Sequence, residues 1–178
     1  MPETEKNRVE GGTLYLVATP IGNLADMTER GVKVLTECDF IAAEDTRNTA
    51  GLLAYFGIKK ELVSYHEHNK KSRGEEIAAR LEGGESCALV TDAGMPAISD
   101  PGEDLVRLCG ERGIPVRIVP GACAAVSALA LSGLATGRFA FEGFLSANRG
   151  ERKKRLEEIR AERRTLIFYE APHKLKAT

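Results

Sequence analysis

The chain has 178 residues, 43% of them hydrophobic, with Lys+Arg 25 against Asp+Glu 26 and a net charge of −1. That length supports one good core, or one domain and part of another. The charge balance excludes a whole-chain basic footprint for nucleic acid, so any such surface must be local.

Residues 1–12 are polar, without an apolar leader core, and are expected to be a disordered arm. A first strand is expected over Thr13–Ala18, with a helix capped by Asp26 or Thr28 and running to Glu37. Phe40–Ala43 reads as the second strand, followed by a helix from Thr46 or Asn48 to Phe56 that Gly57 ends. Leu62–Tyr65 is a short third strand, and a helix follows over Arg73–Leu81. The apolar run Cys87–Val90 is the fourth strand, with a helix over Glu103–Arg112. Pro115–Val119 is the fifth, and Ala122–Ala135 is an Ala-rich stretch too short to span a membrane that fits a buried helix. Strand and helix alternate, so the fold class is α/β with a mainly parallel sheet flanked by helices.

The pattern changes after Gly137. Phe139–Leu145 and Thr165–Tyr169 read as strands around a basic helix, Arg149–Arg164, which carries eight Lys or Arg against four Glu. The expected organisation is therefore an N-terminal α/β domain over 13–133 and the beginning of a second α/β domain over 138–178. Two strands and one helix make a marginal sheet, so that second domain is expected to be truncated. Of the four cysteines, Cys38, Cys87, Cys109 and Cys123, none forms a CxxC pair. A cytoplasmic, reduced protein without disulfides or a membrane partner is expected.

Three strands empty into loops rich in Pro and Gly: Pro20–Asn23 after the first, Asp92–Gly102 after the fourth, and Pro120–Cys123 after the fifth. In a parallel sheet such loops share one edge and build one pocket. No GxGxxG, GxxxxGK[ST] or GxSxG string is present, which removes a dinucleotide fingerprint, a P-loop and a nucleophile elbow. His66 and His68 at i, i+2 face one way only on a strand, and a polar loop at a pocket rim is the preferred reading over a metal site. Glu44 and Asp45 are either paired carboxylates for proton transfer or, for Asp45, a helix cap. The basic helix is either a solvated face or a phosphate-binding one.

Six strings taken in order resemble one family: Leu14–Leu24, Ala42–Arg47, Ser64–Asn69, Asp92–Gly102, Phe141–Leu145 and Thr165–Leu175. They look like the small-subunit ribosomal RNA methyltransferase I group of the tetrapyrrole methylase superfamily, whose members methylate the ribose 2′-oxygen of a decoding-centre cytidine. The resemblance covers about Gly12 to the end. It implies S-adenosylmethionine in a cleft between two α/β domains, small-subunit ribosomal RNA as partner, and a homodimer. It places the donor on Pro20, on Asp92, Ala93, Gly94, Met95, Pro96, Ala97, Ile98 and Ser99, on Gly121, Ala122 and Cys123, and on Phe168, Tyr169 and Glu170. Asp100, Glu44, Asp45, His66 and His68 are the candidates for taking the hydroxyl proton. Arg47, Asn69, Arg152, Lys153, Lys154 and Arg155 are the candidate RNA contacts, and no metal is required. Two departures stand out: only Gly22 remains of the glycine-rich first loop, and Met95 stands where close relatives carry Thr. A tetrapyrrole methylase of small molecules and an inactive donor-binding fragment are the alternatives.

Overall fold

The computed structural model describes residues 7–176 and Thr178. Two compact units meet between Cys123 and Ala124. The division falls earlier than the one expected from sequence, at the start of the Ala-rich helix rather than after it.

In the first unit, β1 (Leu14–Val17), β2 (Phe40–Ala43), β3 (Glu61–Ser64), β4 (Cys87–Val90) and β5 (Val116–Val119) form one sheet in the order β3-β2-β4-β1-β5. All four pairings are parallel. Register aligns Val17 with Val119 and Ala43 with both Ser64 and Val90. The five strands thus finish level, and the residues that follow them line one edge.

Four helices connect these strands: α1 (Glu29–Glu37), α2 (Thr46–Tyr55), α3 (Lys70–Glu82) and α4 (Glu103–Glu111). Period-two alternation splits the strand residues between two cores. Leu14, Leu16, Phe40, Ala42, Cys87 and Leu89 pack with Ile77, Leu81, Leu105 and Cys109 of α3 and α4. Tyr15, Val17, Ile41, Ala43, Ala88 and Val90 pack with Val34, Leu35 and Leu53 of α1 and α2. Both sheet faces are covered, and β1, β2 and β4 are buried throughout. That explains why they read as continuous apolar runs.

The caps set where each helix starts. Thr28 Oγ1 accepts from Gly31 N at 3.0 Å and starts α1. Asp26, the other candidate, ends a 3₁₀ turn, Leu24–Asp26, which Asn23 caps. Residues 7–12, expected to belong to a disordered arm, are fastened to the first unit: Gly12 N donates to the carbonyls of Gly84 and Glu85, both at 3.0 Å, and Glu10 N donates to the Tyr15 hydroxyl at 2.8 Å. The rest of that expectation falls outside the described residues.

The second unit holds α5 (Ala124–Leu131), β6 (Phe139–Phe144), α6 (Arg149–Glu158) and β7 (Thr165–Tyr169). β6 and β7 pair in parallel, with a register shift between Phe141 and Gly143. Ala125 N donates to the Tyr169 hydroxyl at 3.1 Å, which ties α5 to β7 and accounts for its place in this unit. The basic helix ends at Glu158, with a turn after it, and so is shorter than the charge run Arg149–Arg164.

Candidate active site

The level strand ends bring the loops after β1, β2 and β4 together. Thr19 and Gly94 form an isolated antiparallel bridge, Thr19 N donating to Gly94 O at 2.9 Å and Gly94 N to Thr19 O at 3.1 Å. Thr19 Oγ1 donates to Thr91 O at 3.1 Å. Sequence reasoning missed Thr19; its only signal was a place between a strand and Pro20.

The loop from Asp92 to Gly102 carries unusual backbone. Gly94 and Gly102 have φ of 87° and 145°, and Ala97 and Ser99 have φ of 66° and 63°. Left-handed conformations at non-glycine residues cost free energy and persist where surrounding structure over-determines them, often at ligand sites. A Cβ on Gly94 would lie 3.4 Å from Ile21 Cγ2 and 3.7 Å from Ala122 O. Gly121 is needed for a different reason, since a Cβ there would sit 2.9 Å from Ala18 Cβ. Gly94, Pro96 and Gly102 are buried, Met95, Ala97, Ala122 and Cys123 half-buried, and Asp92, Ala93, Ile98, Ser99 and Gly121 exposed. Pro20 is buried at the base of the first loop. Small residues and backbone thus dominate the surface these loops present.

The carboxylates at this edge differ in character. Asp45 caps α2, accepting from Arg47 N at 2.8 Å, and its other oxygen meets Arg47 Nη2 at 2.6 Å. Those contacts hold Asp45 down at about 2, so it is a weak proton acceptor. Glu44 is pushed above the usual carboxylate range by burial, then by the charges of Asp92 and Asp45. Asp92 N donates to Glu44 Oε2 at 3.4 Å, which binds the β2 and β4 loops together. Asp100 is pushed up to about 6 by burial and by the neighbouring charges of Glu44 and Asp92. Glu44, Asp92 and Asp100 thus gather three carboxylates at one edge, a concentration of negative charge that favours a cation.

His66 and His68 pack edge to face with ring centroids 5.9 Å apart. His66 Nδ1 is buried without a hydrogen-bond partner. Asn69 turns into its own loop: its Oδ1 accepts from His66 N at 2.8 Å and its Nδ2 donates to Ser64 O at 3.1 Å. Arg47 is exposed beyond its contact with Asp45. Among the described residues, no group of three or more His, Cys, Asp or Glu is arranged to hold a metal ion. No helix among them is long and apolar enough to cross a membrane.

A cavity of about 300 Å³ opens beside the Thr19–Gly94 bridge, lined by the first loop, the start of α2, and Thr91 and Asp92. Asn23, from the first of the three strand-end loops expected to build a pocket, borders it together with Asn48, Gly51 and Leu52, which were not site candidates from sequence.

The second unit holds the remaining candidates. Phe168, Tyr169 and Glu170 end β7. Glu170 is held below the usual range by Thr178, whose hydroxyl donates to it at 2.6 Å, and by Ala171 N. Arg155 is drawn into ion pairs with Glu142 at 2.5 Å and Glu158 at 3.1 Å, whereas Lys153 and Lys154 are exposed. Arg152 is half-buried, its Nη1 donating to Ser146 O at 3.5 Å.

Residues 13–178 match the family model described as Tetrapyrrole (Corrin/Porphyrin) Methylases. The chain belongs to that family. Within it, the chain is 56% identical over 167 residues to a Synechocystis protein named Ribosomal RNA small subunit methyltransferase I, covering 94% of this chain and 60% of that one. A protein of the same name from Halalkalibacterium halodurans is 54% identical over 176 residues, covering 99% and 61%. The chain therefore spans about three-fifths of the length of these relatives. Among solved structures, uroporphyrin-III-C-methyltransferase from Thermus thermophilus aligns with TM-score 0.57 and 25% identity, over 76% of this chain and 60% of that one. Diphthine synthase aligns with TM-score 0.67 and 17% identity, over 90% and 65%, and shows the shared fold alone.

Proposed function

We propose that this chain is the donor-binding part of a methyltransferase that uses S-adenosylmethionine to methylate the ribose 2′-hydroxyl of a cytidine in small-subunit ribosomal RNA, working as a cytoplasmic homodimer. The observation that carries the donor half of this reading is the strained loop Gly94–Gly102, bridged to Thr19 and set beside three interacting carboxylates. The acceptor half rests on likeness to the named relatives, at 56% and 54% identity in the two described.

The residues present fit such a donor. Gly94 is buried, and its lack of a side chain lets the first, fourth and fifth strand-end loops close together, since a Cβ there would crowd Ile21 and the Ala122 carbonyl. The negative edge of Glu44, Asp92 and Asp100 suits a sulfonium cation. When bound, S-adenosylmethionine supplies a methyl group on positively charged sulfur, activated for transfer without a covalent protein intermediate. The protein's work is to orient the groups and exclude water. Asp100 is the best-suited proton acceptor, because its pKa near 6 leaves it ionised at neutral pH yet more basic than an ordinary carboxylate. With a ribose hydroxyl presented to that methyl group, Asp100 would take up the hydroxyl proton, and the residues of the strand-end loops would hold the donor in line with it. Lys153 and Lys154 on α6 offer charge to RNA phosphates.

Likeness to the uroporphyrin methylase at 25% identity keeps a small tetrapyrrole as the competing acceptor. Calorimetry with S-adenosylmethionine tests the donor half on this chain. If only a longer form of the protein binds it, the 178 residues carry an incomplete site. Methyl transfer by the full-length protein to isolated small ribosomal subunits, measured beside transfer to a uroporphyrinogen, tests the acceptor. Labelling of the tetrapyrrole alone would overturn the RNA reading.

A further inference from the structure

The loop after β3 fixes the chemistry of one imidazole. Tyr65 N donates to Ala43 O at 2.8 Å, so the pairing of β3 with β2 runs one residue past the strand ends and sets His66 beside the start of the β2 loop, Glu44 and Asp45. Asn69 closes the turn that follows. Its Oδ1 accepts from His66 N at 2.8 Å and its Nδ2 donates to Ser64 O at 3.1 Å. An amide oxygen only accepts and an amide nitrogen only donates, so these two backbone partners decide which end of the Asn69 amide is which. The same Nδ2 lies 3.3 Å from His66 Nε2. Nε2 therefore accepts, and the ring hydrogen belongs on Nδ1.

Asn69 thus selects the Nδ1–H tautomer, and the ring nitrogen that could take a proton is already engaged as an acceptor. His66 is placed as a donor rather than as a base. Its Nδ1 is buried without a hydrogen-bond partner among the described residues. A buried N–H left without an acceptor costs free energy, and native structures keep few of them. Two carboxylates stand at the neighbouring strand end. Asp45 has both oxygens engaged by Arg47. Glu44 does not: Asp92 N reaches its Oε2 from the β4 side at 3.4 Å, and its Oε1 has no hydrogen bond to a described residue. Glu44 also feels the His66 ring electrostatically. It follows β2, the strand between β3 and β4, so it can be held from both sides.

We propose that His66 is a positioning residue for Glu44: in the tautomer imposed by Asn69, its Nδ1–H donates to Glu44 Oε1 as that side chain turns toward β3, while Asp92 N keeps Oε2. A donor on each oxygen favours the ionised carboxyl and fixes its charge at the edge assigned to the sulfonium. The purpose of this clasp rests on the S-adenosylmethionine reading; the tautomer and the hold on Glu44 do not.

The test reads the 178-residue chain by nuclear magnetic resonance. Proton–nitrogen correlations within the imidazole at pH 8 should place the His66 ring hydrogen on Nδ1. A hydrogen on Nε2 would overturn the proposal. His66→Asn keeps an amide N–H near the position of Nδ1–H, whereas His66→Gln reproduces only the Nε2 end of the ring. The Glu44 side-chain carboxyl, followed by its carbon shift against pH, should titrate about one pH unit higher in His66→Gln, for one lost hydrogen bond to a charged group. In His66→Asn it should titrate close to its position in the unsubstituted chain. Glu44 titrating alike in all three chains, or displaced equally in both variants, would overturn the proposal, because a purely structural role gives the two ends of the ring no reason to differ. Calorimetry should show S-adenosylmethionine affinity about three- to tenfold weaker in His66→Gln and little changed in His66→Asn. Donor affinity that ignores both substitutions would overturn it as well. If none of the three chains binds the donor while the tautomer and the Glu44 titration come out as expected, the donor reading fails and the hold on Glu44 stands.

Discussion

At Asp100, burial and two neighbouring carboxylates act in the same direction, lifting its pKa from 3.8 to about 6. The folded state therefore holds this proton more tightly than the unfolded state. Below about pH 4 both states are protonated and the group contributes no net penalty; as pH rises through 6 the folded chain must ionise an ill-placed carboxyl and loses stability. Asp100→Asn is expected to stabilise the chain at pH 8 by about 1 kcal/mol, discounted because the side chain is only half-buried. The gain should vanish in denaturant titrations at pH 4. The same substitution should lower kcat for methyl transfer by about 10²–10⁴-fold. In the unsubstituted protein the rate should rise with pH through about 6 and then level. A flat profile from pH 5 to 8 would remove Asp100 from the proton-transfer role. Gly94 provides a second test at this scale. Valine there meets both a φ of 87° and the Ile21 contact at 3.4 Å, so about 1–3 kcal/mol of strain is expected, with loss of donor binding in calorimetry. Retained donor affinity in a folded Gly94→Val chain would take the loop out of the site.

Among the elements, α2 joins a sequence signal to one that only the structure reveals. Its start was legible, because Asp45 before Thr46 is a side-chain cap, and Asp45 does accept from Arg47 N. Its glycine was not, because a helix-interior Gly carries no sign of whether packing or a ligand requires it. Gly51→Ala should raise stability by roughly 0.5–1 kcal/mol, or a few degrees in thermal unfolding, since the added methyl meets open space. A destabilised variant would show that the helix is packed more closely there than the structure allows. For α6, charge counting along the sequence treated Lys153, Lys154 and Arg155 alike. Pairing with Glu142 and Glu158 sets Arg155 apart, something a one-dimensional charge run cannot express. Lys153→Glu with Lys154→Glu is expected to weaken RNA binding without altering donor affinity. The slope of log affinity against log salt should become shallower by roughly one to one and a half for two lost phosphate contacts. An unchanged slope would make α6 a solvated face.

Across the whole molecule, legibility followed burial. β2 and β4 were readable to the residue because their side chains are buried on both faces, leaving uninterrupted apolar runs bounded by polar loops. The strand order, with β4 between β2 and β1, was not readable, since no local pattern records which parallel strands become neighbours. The same gap hid Thr19 and Thr91: their roles come from a bridge and a cavity formed by loops far apart in sequence. The second unit was the least well bounded, and its energetics give the reason. Only Ala125, Leu129 and Ile167 of that unit are among the described buried apolar side chains, while Phe139, Phe141, Phe144 and Phe168 are exposed. A two-stranded sheet with so little buried apolar area is marginal by itself, whereas the five-stranded sheet is covered on both faces. Local opening should therefore cost far less in β6 and β7 than in β1, β2 and β4. Native-state hydrogen exchange on this 178-residue chain should show Phe139–Phe144 and Thr165–Tyr169 amides exchanging well before those of Leu14–Val17 and Cys87–Val90. Equal protection in the two sheets would mean that the second unit is held by contacts beyond its own small core.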